Sequence, residues 1–139
     1  MIRDIVKDTT ALSVKCTRAS EGDLGVVQDM LDTAESFLGS RGCVGLACNQ
    51  IGGTKRIIVI RVGDRFIPMI NPIIRKHSKG TIVSEEGCLS FEGTQPVERW
   101  TWVHVWYYDT NFKLKKATIK DFLGYVVQHE IDHLNGKMI

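Results

Sequence analysis

The stretch His129-Glu130-Ile131-Asp132-His133 holds the residue types best able to do chemistry in this chain. Histidines four apart stack about one turn apart on the same helix face, so both imidazoles can reach one metal ion. Glu130, on the adjoining side, can take a proton from a water at that ion without filling a coordination position. That is the layout of a metallohydrolase. A pattern of five residues also arises by chance, with one histidine bonded in a core and the other in solvent. The flanking residues weigh against this. Phe122, Leu123, Tyr125, Val126, Val127, Ile131 and Leu134 leave little of the circumference polar, which predicts a helix buried over much of its surface. Two unpartnered imidazoles there would each cost on the order of 1 to 3 kcal/mol, and metal ligation removes much of that penalty.

Two histidines leave a catalytic tetrahedral site one protein ligand short, to be filled by Cys, His, Asp or Glu. Cys88 is the favoured donor. It lies in Glu86-Gly87-Cys88-Leu89-Ser90, after an expected strand, where a glycine permits the tight backbone that could aim a thiolate inward. The plainer reading of Cys88 is a small buried core residue. A third stretch, Gly42-Cys43-Val44-Gly45-Leu46-Ala47-Cys48-Asn49-Gln50, combines glycines that allow close backbone approach with a neutral amide donor, Gln50, suited to an oxyanion. It lacks phosphate-loop spacing, and Cys43 and Cys48 read as packing residues.

These groups need elements to position them. From Asp23 as N-cap, apolar residues at Val27, Met30, Leu31, Ala34, Phe37 and Leu38 predict an amphipathic helix that Gly39 ends. Residues 42–53 carry four glycines and read as irregular chain. Strands are expected over residues 56–61, 66–70, 81–84 and 100–108, the last turning through Asp109-Thr110-Asn111 to a partner near residues 114–117. Trp100, Trp102, His104, Trp106 and Tyr108 then share one face, read as sheet packing. The motif helix is expected over residues 118–135, opened by a capping box of Thr118 and Asp121 and closed before Gly136.

With 139 residues, 43% of them hydrophobic, the chain suits one domain over residues 1–139. Its longest aliphatic run, Ile57-Ile58-Val59-Ile60, is far short of the roughly 20 residues of a membrane span. The first residues mix both charge signs and resemble no secretory signal, so the cytoplasm is the expected location and the four cysteines are expected as thiols or ligands. A net charge of +2 with interspersed signs gives no basic stripe, so direct nucleic-acid binding is not expected. Lys113, Lys115 and Lys116 read as a solvated hairpin end.

The motif Val44-Gly45-Leu46-Ala47-Cys48-Asn49-Gln50, then Glu86-Gly87-Cys88-Leu89-Ser90, then Gln128-His129-Glu130-Ile131-Asp132-His133-Leu134 resemble, in this order, the three signature motifs of peptide deformylases. The resemblance runs over nearly the whole chain from the first helix and includes Asn71-Pro72. It implies an α+β fold in which small antiparallel sheets pack around the central C-terminal helix that carries the motif, with an N-terminal amphipathic helix beside them. It implies an Fe²⁺ cofactor replaceable by Zn²⁺, Ni²⁺ or Co²⁺, held by Cys88, His129 and His133. Glu130 would be general base and then acid, and the Gln50 side chain and Leu89 N–H would hold the oxyanion. Gly45 would align the peptide, and Val44 and Val126 would receive the methionine side chain. The activity implied is removal of the formyl group, as formate, from formyl-methionyl nascent polypeptides. The departures are Cys48 and Asn49 before the motif glutamine, Glu92 in place of a proline, and Gly124 in place of an alanine, the last expected to loosen packing. The chain stops at Ile139, without the C-terminal extension through which some relatives contact the ribosome, so docking by that route is not expected. Two alternatives stand beside this reading: a paralogue acting on another N-acyl peptide, and a non-catalytic peptide-binding module.

Overall fold

The computed structural model describes residues 1–38 and 42–139. Along these residues run α1 (Thr9–Leu12), α2 (Gly25–Glu35), β1 (Gly45–Ala47), β2 (Ile57–Val62), β3 (Arg65–His77), β4 (Thr81–Cys88), β5 (Phe91–Trp100), β6 (Trp102–Tyr108), β7 (Leu114–Lys120) and α3 (Asp121–Leu134). The strands form an antiparallel five-stranded sheet in the order β1-β2-β3-β6-β7 and a separate β4-β5 hairpin. The fold is α+β. No helix among the described residues is long and apolar enough to cross a membrane.

The unbroken aliphatic run of β2 follows from its place between two helices. Ile57 and Val59 join Val27, Met30 and Ala34 of α2 in one cluster, whereas Ile58 and Ile60 join Val126, Val127, Ile131 and Leu134 of α3 in another. A strand covered on both faces can be apolar at every position. In β6 the alternation is kept, because Val103 and Val105 enter the cluster under α3 and Tyr107, on the same face, packs against it. Asn71 fastens the N-terminal segment to β3: its backbone is left-handed at φ 52°, and its buried amide both accepts from Ala19 N at 2.7 Å and donates to Ala19 O at 2.9 Å. Asparagine tolerates that backbone better than most residues do.

Several boundaries differ from the sequence expectation. Asp23 does not cap α2; it accepts from Ser20 N in a 3-10 turn over Glu21–Asp23, and the α-helix begins at Gly25. The helix ends at Glu35 and continues as a turn; the predicted stop at Gly39 lies outside the described residues. Thr118 belongs to β7 and bonds His104 Nδ1, so α3 starts without a capping box, from Lys120. Phe122, expected in the core, is 64% exposed. Strand β5 has no counterpart in the expectation, because Glu92, Thr94, Gln95, Pro96 and Glu98 lack an apolar period; pairing with β4 makes it a strand. Trp100 ends β5 rather than opening β6, and its ring stacks on His77 at 3.8 Å between centroids. Gly124 does not loosen anything: a Cβ there would stand 2.8 Å from Ile119 O, so the glycine is what lets α3 start against β7.

Candidate active site

The buried face of α3 presents His129 and His133 one turn apart, with their Nε2 atoms 3.1 Å from each other. Strand β4 brings in Cys88. Its register slips between Glu86 and Cys88, the kind of irregularity that re-aims a side chain, and a Cβ at Gly87 would stand only 3.1 Å from Gly93 O across the hairpin. The Cys88, His129 and His133 ligand atoms all lie within 4.8 Å of one another. Two nitrogens on one tetrahedral ion at about 2.0–2.1 Å would be roughly 3.3 Å apart, so the spacing of the rings fits a shared ion.

Electrostatics favour positive charge at the same place. Burial disfavours the His129 imidazolium, but Cys88, Glu86 and Glu130 outweigh it and raise the pKa, while burial and the charge on His129 push His133 down. The His129 Nδ1 atom lies 2.8 Å from Glu86 Oε1, which fixes the ring with Nε2 toward Cys88 and His133. Glu86 is held in turn by Arg99, through Nε at 2.9 Å and Nη2 at 2.7 Å. The Nη1 atom of the same guanidinium bonds Asp132 at 2.5 Å, so β4, β5 and α3 are tied by charge behind Cys88, His129 and His133. Burial alone would raise Glu86, yet the bonds from His129 and Arg99 hold it at about 2.

Glu130 is 4% exposed, and its Oε1 has no partner among the described residues. Burial pushes its pKa up to about 7, where a carboxyl can both take and give a proton at neutral pH. The backbone of β1 passes directly over it: a Cβ at Gly45 would lie 2.7 Å from Glu130 Oε2 and 2.9 Å from Val126 Cγ1. Gln50, in the 3-10 turn Cys48–Ile51, accepts from Ala47 N through Oε1 and donates from Nε2 to Ser90 Oγ at 3.2 Å. One N–H of its amide remains for a ligand. These groups share a cleft of about 360 Å³ with Val44, Leu89, Phe91, Phe122 and Tyr125.

The model of the polypeptide deformylase family matches residues 2–139. The chain belongs to the polypeptide deformylase family. It is 42% identical over 139 residues to a peptide deformylase of Clostridium beijerinckii, covering 100% of both chains. To a peptide deformylase of Thermotoga maritima it is 36% identical over 124 residues, 88% of this chain and 73% of the relative. Among solved structures, the peptide deformylase of the Vibrio parahaemolyticus bacteriophage VP16T, in complex with actinonin, superposes with a TM-score of 0.85 at 37% identity, over 98% of this chain and 99% of the other. The class I type b peptide deformylase of Acinetobacter baumannii gives 0.87 at 28% identity, over 99% and 97%. A catalytic metal ion belongs to deformylase chemistry, and the thiolate and two imidazoles described above are a donor set that fits one.

Eight of the nine residues singled out in the sequence line this cleft, and the ninth, His133, has its ligand atom within 4.8 Å of those of Cys88 and His129. Glu86 and Arg99 were missed. Glu86 stood in a motif with no task, and Arg99 lies in the unpredicted β5; a buried arginine next to a strand's last residue gives no signal in sequence. Two family departures also acquire a reason. The Asn49 Nδ2 donates to His133 O at 2.7 Å, and Cys48 fills space beside Gly53, where a Cβ would meet its Sγ at 2.2 Å.

Proposed function

We propose that this chain is a metal-dependent hydrolase that removes the N-formyl group from the amino-terminal formyl-methionine of newly synthesised polypeptides, releasing formate. The observation that carries the reading is the convergence of Cys88, His129 and His133 beside the buried, poorly partnered Glu130, in a chain that belongs to the deformylase family over residues 2–139. Cys88, His129 and His133 would hold the ion, with Fe²⁺ as the resident metal and Zn²⁺, Ni²⁺ or Co²⁺ able to replace it. When bound, the ion supplies the Lewis acidity that makes water nucleophilic near neutral pH.

The protein's own groups do the rest. Glu130 takes the proton released as the attacking oxygen bonds to the formyl carbon, then delivers it to the departing amine nitrogen. The free N–H of Gln50 and the Leu89 backbone N–H stabilise the oxygen on which negative charge develops. The main chain at Gly45 aligns the peptide, and Val44 and Val126 give the methionine side chain an apolar wall. The whole of residues 1–139 acts as one domain in this reading, at work in the cytoplasm where formylated chains are made.

The test is formate release from formyl-Met-Ala-Ser by protein reconstituted anaerobically with Fe²⁺, with acetyl-Met-Ala-Ser in parallel. Turnover of the formyl peptide alone is expected. No formate from protein with metal demonstrably bound would overturn the reading, and cleavage of the acetyl peptide would point to a broader N-acyl hydrolase.

A further inference from the structure

No basic stripe runs along the sequence, but the strand register builds one in space. Because Val103 and Val105 point toward α3, Trp102, His104 and Trp106 stand on the other face of β6. There β7 sets Lys116 opposite Trp106 and Lys120 opposite Trp102, and β3 sets Lys76 opposite His104. A register irregularity between Ile74 and Lys76 brings in Arg75. The Arg75 guanidinium stands 4.5 Å, and the Lys116 ammonium 4.2 Å, from the centroid of the Trp106 ring. None of the ion pairs among the described residues involves Arg75, Lys76, Lys116 or Lys120. Helix α2 covers this face only over β1, β2 and the first part of β3, where Leu46, Ile57, Val59, Phe66 and Ile70 pack against it. The remainder is an open basin lined by Arg75, Lys76, Trp102, His104, Trp106 and Thr118, with Lys116 and Lys120 beside it on β7.

We propose that this uncovered face docks RNA through its phosphodiester backbone. Four cations without carboxylate partners complement a polyanion. Two of them rest on an indole, which limits the freedom lost when a phosphate binds, and cations interleaved with aromatic rings are the composition of surfaces that follow nucleic-acid strands. The choice of RNA rests on the proposed function, since formyl-methionyl chains emerge from the RNA-rich ribosome. The geometry suits that role: the basin lies on the sheet face opposite α3, so a docked enzyme keeps its cleft clear of the RNA.

The experiment is the anisotropy of a fluorescein-labelled oligouridine RNA titrated with the intact protein between about 50 and 200 mM salt. Four phosphate contacts predict that log K falls against log salt with a slope of about −2.8, at about −0.7 per contact for a single strand. The double variant R75E/K116E is expected to bind at least about tenfold more weakly and with a shallower slope. The control K7E/K15E changes net charge equally at exposed sites elsewhere and is expected to bind as the wild type does. Thermal unfolding and formate release from formyl-Met-Ala-Ser are expected to be unchanged in R75E/K116E. Absent RNA binding overturns the proposal, as does an R75E/K116E protein that is folded and binds normally, or a control that loses as much as it does. Polyglutamate binding as tightly as the RNA at equal salt would also overturn it, in favour of an acidic protein partner. RNA affinity is read without substrate, so failure of deformylation and failure of docking are separate results.

Discussion

The side-chain amide of Asn49 donates to the main-chain carbonyl of His133 at 2.7 Å, inside the protein. It ties the turn that carries Gln50 to the last turn of α3. Asn49→Ala is therefore expected to lower stability by about 1 to 2 kcal/mol, measured by urea unfolding, and to lower kcat more than it raises KM. A variant with wild-type unfolding and kinetics would show that the bond positions nothing.

Arg99 has 4% of its side chain exposed and is the common partner of Glu86 and Asp132. Removing it leaves two carboxylates in a low-dielectric setting, so Arg99→Ala should cost about 3 to 5 kcal/mol. Glu86→Gln, which spares the volume, should weaken metal affinity about 10- to 100-fold through the orientation of His129. Metal competition with a chromophoric chelator measures it, and unaltered affinity would contradict this account of Glu86.

Gly45 lies against Glu130 and Val126 with no room for a methyl group, the nearest atom being 2.7 Å from where it would sit. Gly45→Ala should destabilise the fold by about 1 to 3 kcal/mol and displace the Glu130 carboxylate. Activity is expected to fall far more than metal content, a split that elemental analysis beside formate release would expose.

Glu130→Gln keeps the shape of the side chain and removes the proton acceptor. Turnover should drop about 10²- to 10⁴-fold while the ion stays bound. Stripping the ion should lower the unfolding temperature, since a ligand of the folded state at 100 times its Kd contributes about 2.7 kcal/mol. Calorimetry with and without chelator checks this, and an unmoved transition would mean that the site does not bind metal tightly.

Burial pushes the Cys43 thiol up to about 12 and the Cys16 thiol to about 11. With the folded pKa raised, the thiolate is scarce below it: at pH 8 only about one Cys43 in 10⁴ is ionised, so disulfide reagents should leave it intact although it borders the cleft. Cys88 is half-buried, on the cleft wall, and should be the thiol modified in chelator-treated native protein. Mass spectrometry after brief labelling would refute this if Cys43 reacted first.

Much of the chemistry was determined by sequence alone, because its signals are local. The four-residue spacing of His129 and His133 puts both rings on one side of any helix, and the apolar residues around them require that helix to be buried. The aliphatic residues of β2 and the alternation in β6 likewise predicted strands. Tertiary structure decided what depends on partners distant in the chain. Strand β5 has almost no apolar pattern and exists because β4 offers it a ladder, and with it comes Arg99, which no spacing would have linked to His129 through Glu86. The capping box expected at Thr118 failed for the same reason, because Thr118 pairs with β6 as a residue of β7, whereas the helix start expected at Asp23 failed locally, its carboxylate accepting from Ser20 N instead. The basic face around Trp106 belongs to the same class, since its cations come from two strands about 40 residues apart in sequence and meet only through the register of the sheet.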